Sequence, residues 1–335
     1  MDISVMSLSG EATNLSDSEI STFKKNFSGQ LLNKVDKDYN EARLIWNGMI
    51  DKHPALIARC KNSKDVSLVV KFARNHNLLI SIRGGGHNVA GNAVCDDGLM
   101  IDLSLMNNVS VDQKKMTAIV GPGCTLGNAD QATQQYGLVI PSGIVTSTGV
   151  GGLTLGGGFG WLSRKWGLTC DHLISTEVVT ANGEIIKVNS EENPDLFWGL
   201  KGGGGNFGIL TSFEFSLREL GPEITGGLIL YKLEESEKVL SFYNEFISTA
   251  PREITTVLIY RYCPPAPFVK EEFHGKPIFG IGVLYAGKAD KGLEILKPLK
   301  SFGSPIGDAI VPKPFMTHQA MLDAGQPQGA CYYWK

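Results

Sequence analysis

A histidine that follows three consecutive glycines is the side chain in this sequence best placed to do chemistry. It is His87, preceded by Gly84, Gly85 and Gly86 and followed by Asn88. Glycines can adopt positive φ and let successive backbone N–H groups point into one small volume, which suits a pyrophosphate. His87 is then the first side chain able to reach a bound cofactor. Taken alone, these residues favour a tight turn that ends in a polar residue, so the interpretation depends on the rest of the chain.

The elements around this loop can be predicted from the apolar pattern. Residues 54–60 form an apolar run typical of a strand, and residues 63–77 carry the periodicity of an amphipathic helix that Ser63 can cap. A second apolar run, residues 78–83, leads directly into the glycines. We therefore expect a βαβ unit whose second strand delivers the Gly84–Gly86 loop.

Two further glycine clusters follow, at residues 148–160 and 201–208. Apolar residues within the first of them favour an ordered loop or distorted helix pressed against a flat or phosphorylated ligand. None of the clusters has the G-x-G-x-x-G spacing followed by an acidic residue about 20 positions later, and no P-loop is present. The pattern disfavours an NAD-dependent Rossmann dehydrogenase. An FAD lying extended across several loops fits it better.

Composition and charge narrow the class of protein. The 335 residues are 42% hydrophobic and 19% charged, with a formal net charge of −3, so we expect neither a nucleic-acid partner nor an anionic membrane surface. The six cysteines have no metal-ligand spacing, which predicts neither a zinc site nor a disulfide scaffold. The opening residues lack a signal-peptide pattern and no stretch is long enough to span a membrane, so a cytoplasmic protein is expected.

The glycine content and the pattern of predicted strands and helices change near residue 220. The first fifteen residues look weakly structured, and Ser16 and Glu19 form a capping box that predicts a short helix. After residue 220 the glycine clusters stop, and strands alternate with helices in the pattern of an antiparallel sheet covered on one face. We predict an α+β fold with a lead-in over residues 1–38, one domain over 39–220 and a second over 221–335.

Five motifs occur in a specific order. They are Arg83-Gly84-Gly85-Gly86-His87, residues 98–104, residues 149–160, residues 164–171, and residues 192–198 running into 202–208. In these motifs the sequence resembles the FAD-linked oxidases of the vanillyl-alcohol oxidase superfamily, in the berberine-bridge-enzyme-like branch. The resemblance extends from about Tyr39 onward. It implies a PCMH-type FAD-binding domain of two subdomains over residues 39–220 and a substrate domain after it.

The resemblance also implies which residues bind the cofactor. His87 occupies the position that bonds covalently to the flavin 8α-methyl group. The loop at residues 84–88 would hold the pyrophosphate, residues 150–158 would lie against the ring and ribityl chain, and residues 205–209 near the adenine. The cofactor-binding residues implied in this way are His87, Arg83, Gly84, Gly85, Gly86, Asn88, Gly149, Val150, Gly151, Gly152, Leu155, Gly156, Gly157, Gly158, Gly205, Asn206, Gly208 and Ile209.

The chain departs from the family at the position where many members form a second covalent bond to the flavin. Many members carry a cysteine bonded to flavin C6, and the corresponding residue here is Val145. Cys170 lies well past that position and is interpreted as a buried thiol, while His172 is interpreted as structural. A single covalent bond, through His87, is therefore expected.

The implied activity is transfer of a hydride from a C–H bond of a small alcohol, sugar or amine to FAD, with reoxidation by O₂ or another acceptor. Family members continue beyond this length with a segment that often supplies the catalytic base, so the chain is expected to be truncated, and no catalytic residue is assigned. Tyr260, Arg261 and Tyr285 could line a substrate pocket, although strand aromatics more often pack in the core. The alternative is an inactive FAD-binding remnant.

Overall fold

A computed structural model describes residues 2–334 of the chain, which contain three larger β-sheets, two two-stranded sheets and the helices between them. The strands are β1 Ile3–Met6, β2 Ala12–Leu15, β3 Gln30–Asn33, β4 Leu56–Arg59, β5 Ile80–Arg83, β6 Leu99–Asp102, β7 Val109–Asp112, β8 Thr117–Val120, β9 Leu138–Val139, β10 Leu173–Val179, β11 Ile185–Asn189, β12 Ile209–Ser216, β13 Arg218–Glu219, β14 Glu223–Lys232, β15 Ile254–Tyr262, β16 Pro277–Tyr285, β17 Gly307–Asp308 and β18 Val311–Pro314.

The helices, in the same chain order, are α1 Asp17–Asn26, α2 Tyr39–Arg43, α3 Ser63–Asn75, α4 Leu126–Gln134, α5 Val150–Leu155, α6 Ser163–Trp166, α7 Pro194–Leu200, α8 Ser236–Thr249, α9 Ala289–Ile295, α10 Lys297–Lys300 and α11 Phe315–Gln319. Short 3₁₀ turns occur at Thr169–His172, Gly204–Phe207, Leu233–Glu235, Glu271–Phe273 and Ala320–Gly325.

The first sheet has the order β3-β4-β6-β5, and β4, β6 and β5 run parallel. Helix α3 connects β4 to β5, so the βαβ unit predicted from the sequence is present. The cap is Asn62 and not Ser63 as predicted, because the Asn62 side chain accepts from Asp65 N. Its apolar face packs on a core that includes Leu56, Val66 and Leu99. Since β5 ends at Arg83, the Gly84–Gly86 loop leaves the carboxyl end of a parallel strand, where α/β sheets commonly place ligands.

The chain begins with an antiparallel hairpin, because β1 pairs with β2 from Ile3 to Leu15. Val5 and Leu15 are fully buried against the core of the first sheet. The expectation of weak structure in the first fifteen residues is therefore wrong, since burial against a distant sheet orders a segment too short to show a pattern. Helix α1 follows with the predicted capping box of Ser16 and Glu19.

The second sheet, β11-β10-β12-β8-β7, is antiparallel throughout. The β10–β11 hairpin turns through Asn182 and Gly183, and Gly183 has φ of +74°, as its Asn-Gly sequence predicts. Phe213 and Phe215 of β12 are buried in the core beneath the sheet. The second glycine cluster contains α5, and the third contains a 3₁₀ turn just before β12.

The third sheet, β15-β16-β14-β17 with β18 also paired to β14, is antiparallel. Residues of α8 and α10 such as Val239 and Leu299 pack with Ile229, Phe279 and Ile281 on one face. This matches the predicted α+β fold with a helix-covered antiparallel sheet. Because the sheet starts at Glu223, we propose residue 220 as the boundary between the two domains.

Residues 319–332, which we call the strap, return from the third sheet to the first two. Gln319 Nε2 donates to Gly143 O at 2.8 Å. Asn47 and Tyr332 exchange two hydrogen bonds, from Asn47 Nδ2 to Tyr332 O and from Tyr332 N to Asn47 Oδ1, both at 3.0 Å. The strap thus binds to loops of the preceding domain at both of its ends.

None of the helices found within residues 2–334 combines the length and the apolar character needed to cross a membrane.

Candidate functional site

A cavity of about 560 Å³ lies where the three glycine clusters meet. Most of the residues that the sequence assigned to cofactor binding line it: Gly84, Gly85, Gly86, His87, Asn88, Gly149, Gly151, Gly152, Leu155, Gly156, Gly205, Gly208 and Ile209. Segments more than 100 residues apart in the chain therefore share one wall. The fold brings the three clusters together as the FAD hypothesis requires.

The first two clusters touch through glycines. A Cβ added to Gly85 would overlap the Gly149 Cα and N atoms, and a Cβ added to Gly149 would lie 2.7 Å from the Gly85 Cα atom. Neither backbone can retreat without moving its loop. Only glycine at both positions allows the two backbones to come this close, and both residues line the cavity.

Several backbone N–H groups of the residues that line this cavity have no acceptor among the residues that the structure describes. Within residues 2–334, the five N–H groups of residues 84 to 88 donate no hydrogen bond to the protein. The first turn of α5 has no side-chain cap for its N–H groups at Gly151 and Gly152. Around Gly152 and Gly205, no atom lies within 4 Å of an added Cβ. Donors that lack partners beside open space are suited to an anionic ligand.

His87 is held at the edge of the cavity by two neighbours. Its Nε2 atom lies 3.0 Å from Ser147 Oγ. Its ring stacks on Trp46, with ring centroids 4.8 Å apart and an interplanar angle of 15°. Burial lowers the pKa of His87 to about 4, against weaker opposing effects of Ser147 and the Asp323 charge. At neutral pH the imidazole is uncharged and keeps a lone pair.

Trp46 is itself fixed from several sides. Its backbone N donates to Gly86 O at 3.1 Å, and its indole Nε1 donates to Gln326 O of the strap at 3.2 Å. The Tyr332 ring stacks on it at a centroid distance of 3.5 Å. The stacking partner of His87 is thus tied both to the glycine loop and to the strap.

The loop that carries Ser147 is also bound by the strap. Both carboxylate oxygens of Asp323 are engaged by Thr146, one by its backbone N and one by its hydroxyl. Gln319 binds the same loop at Gly143. Ser147 directly follows Thr146, so the strap determines the position of the hydroxyl that contacts His87.

Arg83 does not line the cavity, although the sequence assigned it to the cofactor. Its Nε lies 3.2 Å from Asp102 Oδ1, and its NH1 donates to Ala42 O at 2.6 Å and Leu44 O at 2.9 Å. Asp102 is fully buried and also accepts from Arg59 Nε at 3.2 Å. Arg83, at the end of β5, thus binds the end of β6 through Asp102 and the carboxyl end of α2 through two carbonyls. These contacts fix the residue that directly precedes the glycine loop.

Four other assigned residues lie outside the lining. Val150 is buried in the core of the second sheet. Gly157 and Gly158 adopt φ of +99° and +80°, and their carbonyls accept from Cys170 N and Thr169 N at 2.9 Å. Asn206 is exposed and donates to Gly203 O at 2.9 Å. These residues shape the loops and do not face the cavity.

Val145, Cys170 and His172 are all buried. Cys170 is a free thiol, as expected, and burial raises its pKa. His172 Nε2 lies 3.0 Å from Trp166 O and Nδ1 lies 3.4 Å from Ser216 Oγ, which fits the structural role expected for it. None of the three lines the cavity, and no metal-binding cluster occurs in the part of the chain that the structure describes.

The three candidate substrate residues lie away from the glycine cavity. Tyr285 lines a second, more open cleft of about 1010 Å³, together with Lys165 and Glu253. Tyr260 is exposed beside Phe279, and Arg261 lies beside the strap at Gly325. The structure does not bring them to the proposed cofactor site.

Sequence reasoning missed Ser147, Trp46 and the strap. Ser147 lies two residues after Val145, in a loop where the resemblance marks only the cysteine position. Trp46 lies in residues 39–47, a segment whose sequence is consistent with either irregular or helical structure. A single serine or tryptophan in a loop is not part of a hydrophobic periodicity that could mark it. The strap residues act through contacts with residues far away in the sequence, which the sequence alone does not reveal.

Comparison with known proteins identifies an FAD binding domain within the chain. A family model for an FAD binding domain matches residues 54–189. The uncharacterized FAD-linked oxidoreductase YgaK of Bacillus subtilis (strain 168) is 33% identical over 315 residues, which is 91% of this chain and 67% of that protein. Across the first curated relatives, the chain spans 60–67% of their length.

Solved structures have the same fold. The structure of 6-hydroxy-D-nicotine oxidase from Arthrobacter nicotinovorans matches with a TM-score of 0.80 at 30% identity, covering 88% of this chain and 63% of that one. Glucooligosaccharide oxidase from Acremonium strictum, described with a 6-S-cysteinyl, 8α-N1-histidyl FAD, matches with a TM-score of 0.76 at 26% identity, covering 94% and 65%. The chain therefore belongs to the FAD-linked oxidoreductases, in the berberine-bridge-enzyme-like branch of the vanillyl-alcohol oxidase superfamily.

Proposed function

We propose that the glycine cavity binds FAD through one covalent bond to His87, and that the protein oxidises a small molecule by taking hydride from a C–H bond. The observation that carries the proposal is the row of five N–H groups at residues 84 to 88, which have no acceptors among the described residues and include that of the neutral His87. Bound FAD would supply the redox chemistry, accepting two electrons and passing them to O₂ or another acceptor.

The donor set supports a dinucleotide. The lining has no basic side chain other than His87 within the described chain, so an anion must be held by backbone N–H groups. Residues 84 to 88 supply such groups in succession. Gly152 and Gly205 leave open space on other walls, where any side chain would project into the volume of a long ligand.

A single covalent bond is supported by the residues at both candidate positions. His87 is uncharged above about pH 4, so a ring nitrogen has a lone pair available for bond formation. Val145 occupies the position that the resemblance assigns to the second bond, and it has no nucleophilic atom. The related glucooligosaccharide oxidase is described with both bonds, and this chain has a candidate for one of them.

The proposed substrates are small alcohols, sugars or amines. Relatives named as nicotine and glucooligosaccharide oxidases act on an amine and a sugar, which supports this range without selecting one class. The chain would hold the cofactor and its orientation through residues 84–88, 149–156 and 205–209. No side chain within the described residues is assigned as catalytic base.

FAD binding without turnover by this chain is the second candidate. It is favoured by one observation: within residues 2–334, His87 is the one titratable side chain that lines the cavity. A general base must be within hydrogen-bond reach of the proton that it removes. A neutral histidine already bonded to a cofactor is not free to act as one.

The covalent bond is tested by acid precipitation. Purified protein is precipitated with acid and washed, and the visible absorbance of the redissolved pellet reports covalent flavin. We expect flavin in the wild-type pellet, none in the His87→Ala pellet, and the wild-type amount in His53→Ala, a change to an exposed histidine away from the cavity. A colourless wild-type pellet, or a coloured His87→Ala pellet, contradicts the tether.

The two candidate functions are separated by peroxide release. The flavin-loaded chain is mixed in air with a panel of alcohols, oligosaccharides and cyclic amines. Substrate-dependent bleaching of the flavin and hydrogen peroxide formation support the oxidase. Flavin that stays oxidised with every substrate supports binding without turnover.

A further inference from the structure

We propose that Ser147 is a positioning residue that holds His87 in the tautomer protonated on Nε2, so that Nδ1 keeps the lone pair that bonds to the flavin. This inference rests on the proposed function, because it concerns how the His87 tether forms. It assigns a role to a side chain that the motifs do not mark. The nitrogen left free, Nδ1, is the one that forms the 8α-N1-histidyl linkage described for glucooligosaccharide oxidase.

The geometry at the imidazole distinguishes its two nitrogens. Nε2 lies 3.0 Å from Ser147 Oγ, whereas Nδ1 makes no hydrogen bond to the described residues. If Nδ1 carried the proton, that N–H would have no acceptor among the described residues, and the nitrogen would have no lone pair for bond formation. If Nε2 carries it, the N–H donates to Ser147 Oγ, and Nδ1 presents a free lone pair.

Two further contacts keep this arrangement fixed. The stack on Trp46 restricts rotation of the His87 ring about its Cβ–Cγ bond. The Asp323 carboxylate holds Thr146 by its N–H and hydroxyl, which fixes the backbone next to Ser147. The serine hydroxyl is thus held by its loop, and the ring by its stack.

Covalent attachment of His87 to the flavin is a two-electron oxidation. One bond forms, between Nδ1 and the 8α carbon, and two protons are lost, one from the methyl carbon and one from Nε2. The two electrons released pass to dioxygen, which takes up both protons and leaves as hydrogen peroxide. Because a serine hydroxyl can accept and donate, Ser147 accepts from Nε2–H before attachment and donates to the Nε2 lone pair afterwards.

The test follows covalent attachment over time. Flavin-free protein is mixed with FAD in aerated buffer, aliquots are quenched with acid, and covalent flavin in the pellet is measured. Ser147→Ala should attach flavin about tenfold more slowly, the size expected for loss of one hydrogen bond between neutral groups. Ser147→Thr, which keeps the hydroxyl, should attach it at a rate close to that of the wild type.

A size-matched pair separates the hydroxyl from packing. Threonine and valine have the same shape, so Ser147→Thr and Ser147→Val differ in the hydroxyl alone. We expect fast attachment in the threonine variant and slow attachment in the valine variant, with equal noncovalent flavin measured in both before precipitation. This comparison also covers the case in which the alanine variant fails to fold.

The outcomes identify which idea fails. Equal attachment rates in the Thr and Val variants, or in the wild type and Ser147→Ala, overturn the role of Ser147 and leave the tether standing. Absence of covalent flavin in the wild type, or its presence in His87→Ala, overturns the proposed tether and the Ser147 inference with it. A slow valine variant with a wild-type-like threonine variant supports the inference.

Discussion

At the level of single residues, the contact between Gly85 and Gly149 determines the shape of the site. Two backbones meet there with no side chain between them, and each belongs to a different glycine cluster. The φ of neither residue requires glycine, since neither is in the positive-φ set. The requirement is space alone, which makes it testable by adding one methyl group.

Gly85→Ala should lower the unfolding midpoint of the flavin-free protein and prevent the proposed covalent attachment of flavin, because the new Cβ overlaps the Gly149 backbone. We expect a loss of roughly 1–3 kcal/mol in the free energy of unfolding, typical of overpacking. Urea denaturation provides the measurement, with Gly152→Ala as control because its Cβ would meet no atom within 4 Å. Equal midpoints for Gly85→Ala and the control would contradict the close contact.

At the level of elements, helices α4 and α11 meet through Asp130 and Gln319. Asp130 is buried, and burial raises its pKa to about 7, against a smaller opposing effect of Gln319. One oxygen of each side chain has no hydrogen-bond partner within the described chain. A protonated carboxyl can donate a hydrogen bond and an ionised one cannot, so the protonated form suits this contact.

The raised pKa predicts the sign of a pH effect. Between the unfolded value of 3.8 and about 7, the folded protein holds a proton on Asp130 that the unfolded chain has released. Stability from this group therefore falls as pH rises through that window. Asp130→Asn, neutral at every pH, should be more stable than the wild type at pH 8, by on the order of a few kcal/mol.

The difference in stability between Asp130→Asn and the wild type should shrink from pH 8 toward pH 4, as measured by urea unfolding at a series of pH values. Other titrating groups contribute equally to the wild type and the variant, so their contributions cancel in the difference between the two stabilities. These groups include His87 and His318, whose pKa values burial lowers to about 4 and about 3. A difference that stays constant with pH would contradict the buried, raised Asp130.

Elements with a strong local pattern were predictable from the sequence. The βαβ unit, the capped α1 and the Asn-Gly hairpin all depend on periodicity, capping or turn chemistry between near neighbours. The β1–β2 hairpin did not show itself, because four-residue strands are ordered by burial against a distant core.

The residues of the candidate site likewise fall into those that could be predicted from the sequence and those that could not. Glycines were predictable because no other residue type allows close backbone approach, and most of those assigned line the cavity. The neighbours of His87 were not, since Ser147 and Trp46 reach it through loops whose course depends on the whole fold. Arg83 belongs to a motif, yet its guanidinium binds Asp102 and two carbonyls, which sequence spacing cannot reveal.

At the level of the whole molecule, two adjacent basic side chains join the first domain to the third sheet. Arg164 donates to three carbonyls, those of Ala250 at 3.1 Å, Pro251 at 2.6 Å and Ile254 at 2.8 Å. Lys165 Nζ donates to Ala286 O at 2.7 Å. A planar guanidinium can serve several acceptors at once, so Arg164 contributes most of this polar contact.

Arg164→Ala should lower the free energy of unfolding by roughly 2–4 kcal/mol, because hydrogen bonds to a charged group are lost and three carbonyls lose their donor. Arg164→Lys should recover only part of it, since one ammonium group cannot reach all three oxygens. The control is Arg74→Ala, on an exposed face of α3. Urea denaturation that gives the same midpoint for Arg164→Ala and Arg74→Ala would contradict this interface.

The strap has a consequence for the order of biosynthesis. Asn47 and Tyr332, which bind each other beside the Trp46–His87 stack, are 285 residues apart in the chain. Thr146 likewise depends on Asp323, 177 residues later. On the ribosome, the first domain emerges long before the residues that orient its histidine. Under the proposed function, covalent attachment through His87 is therefore expected only after the strap has been translated.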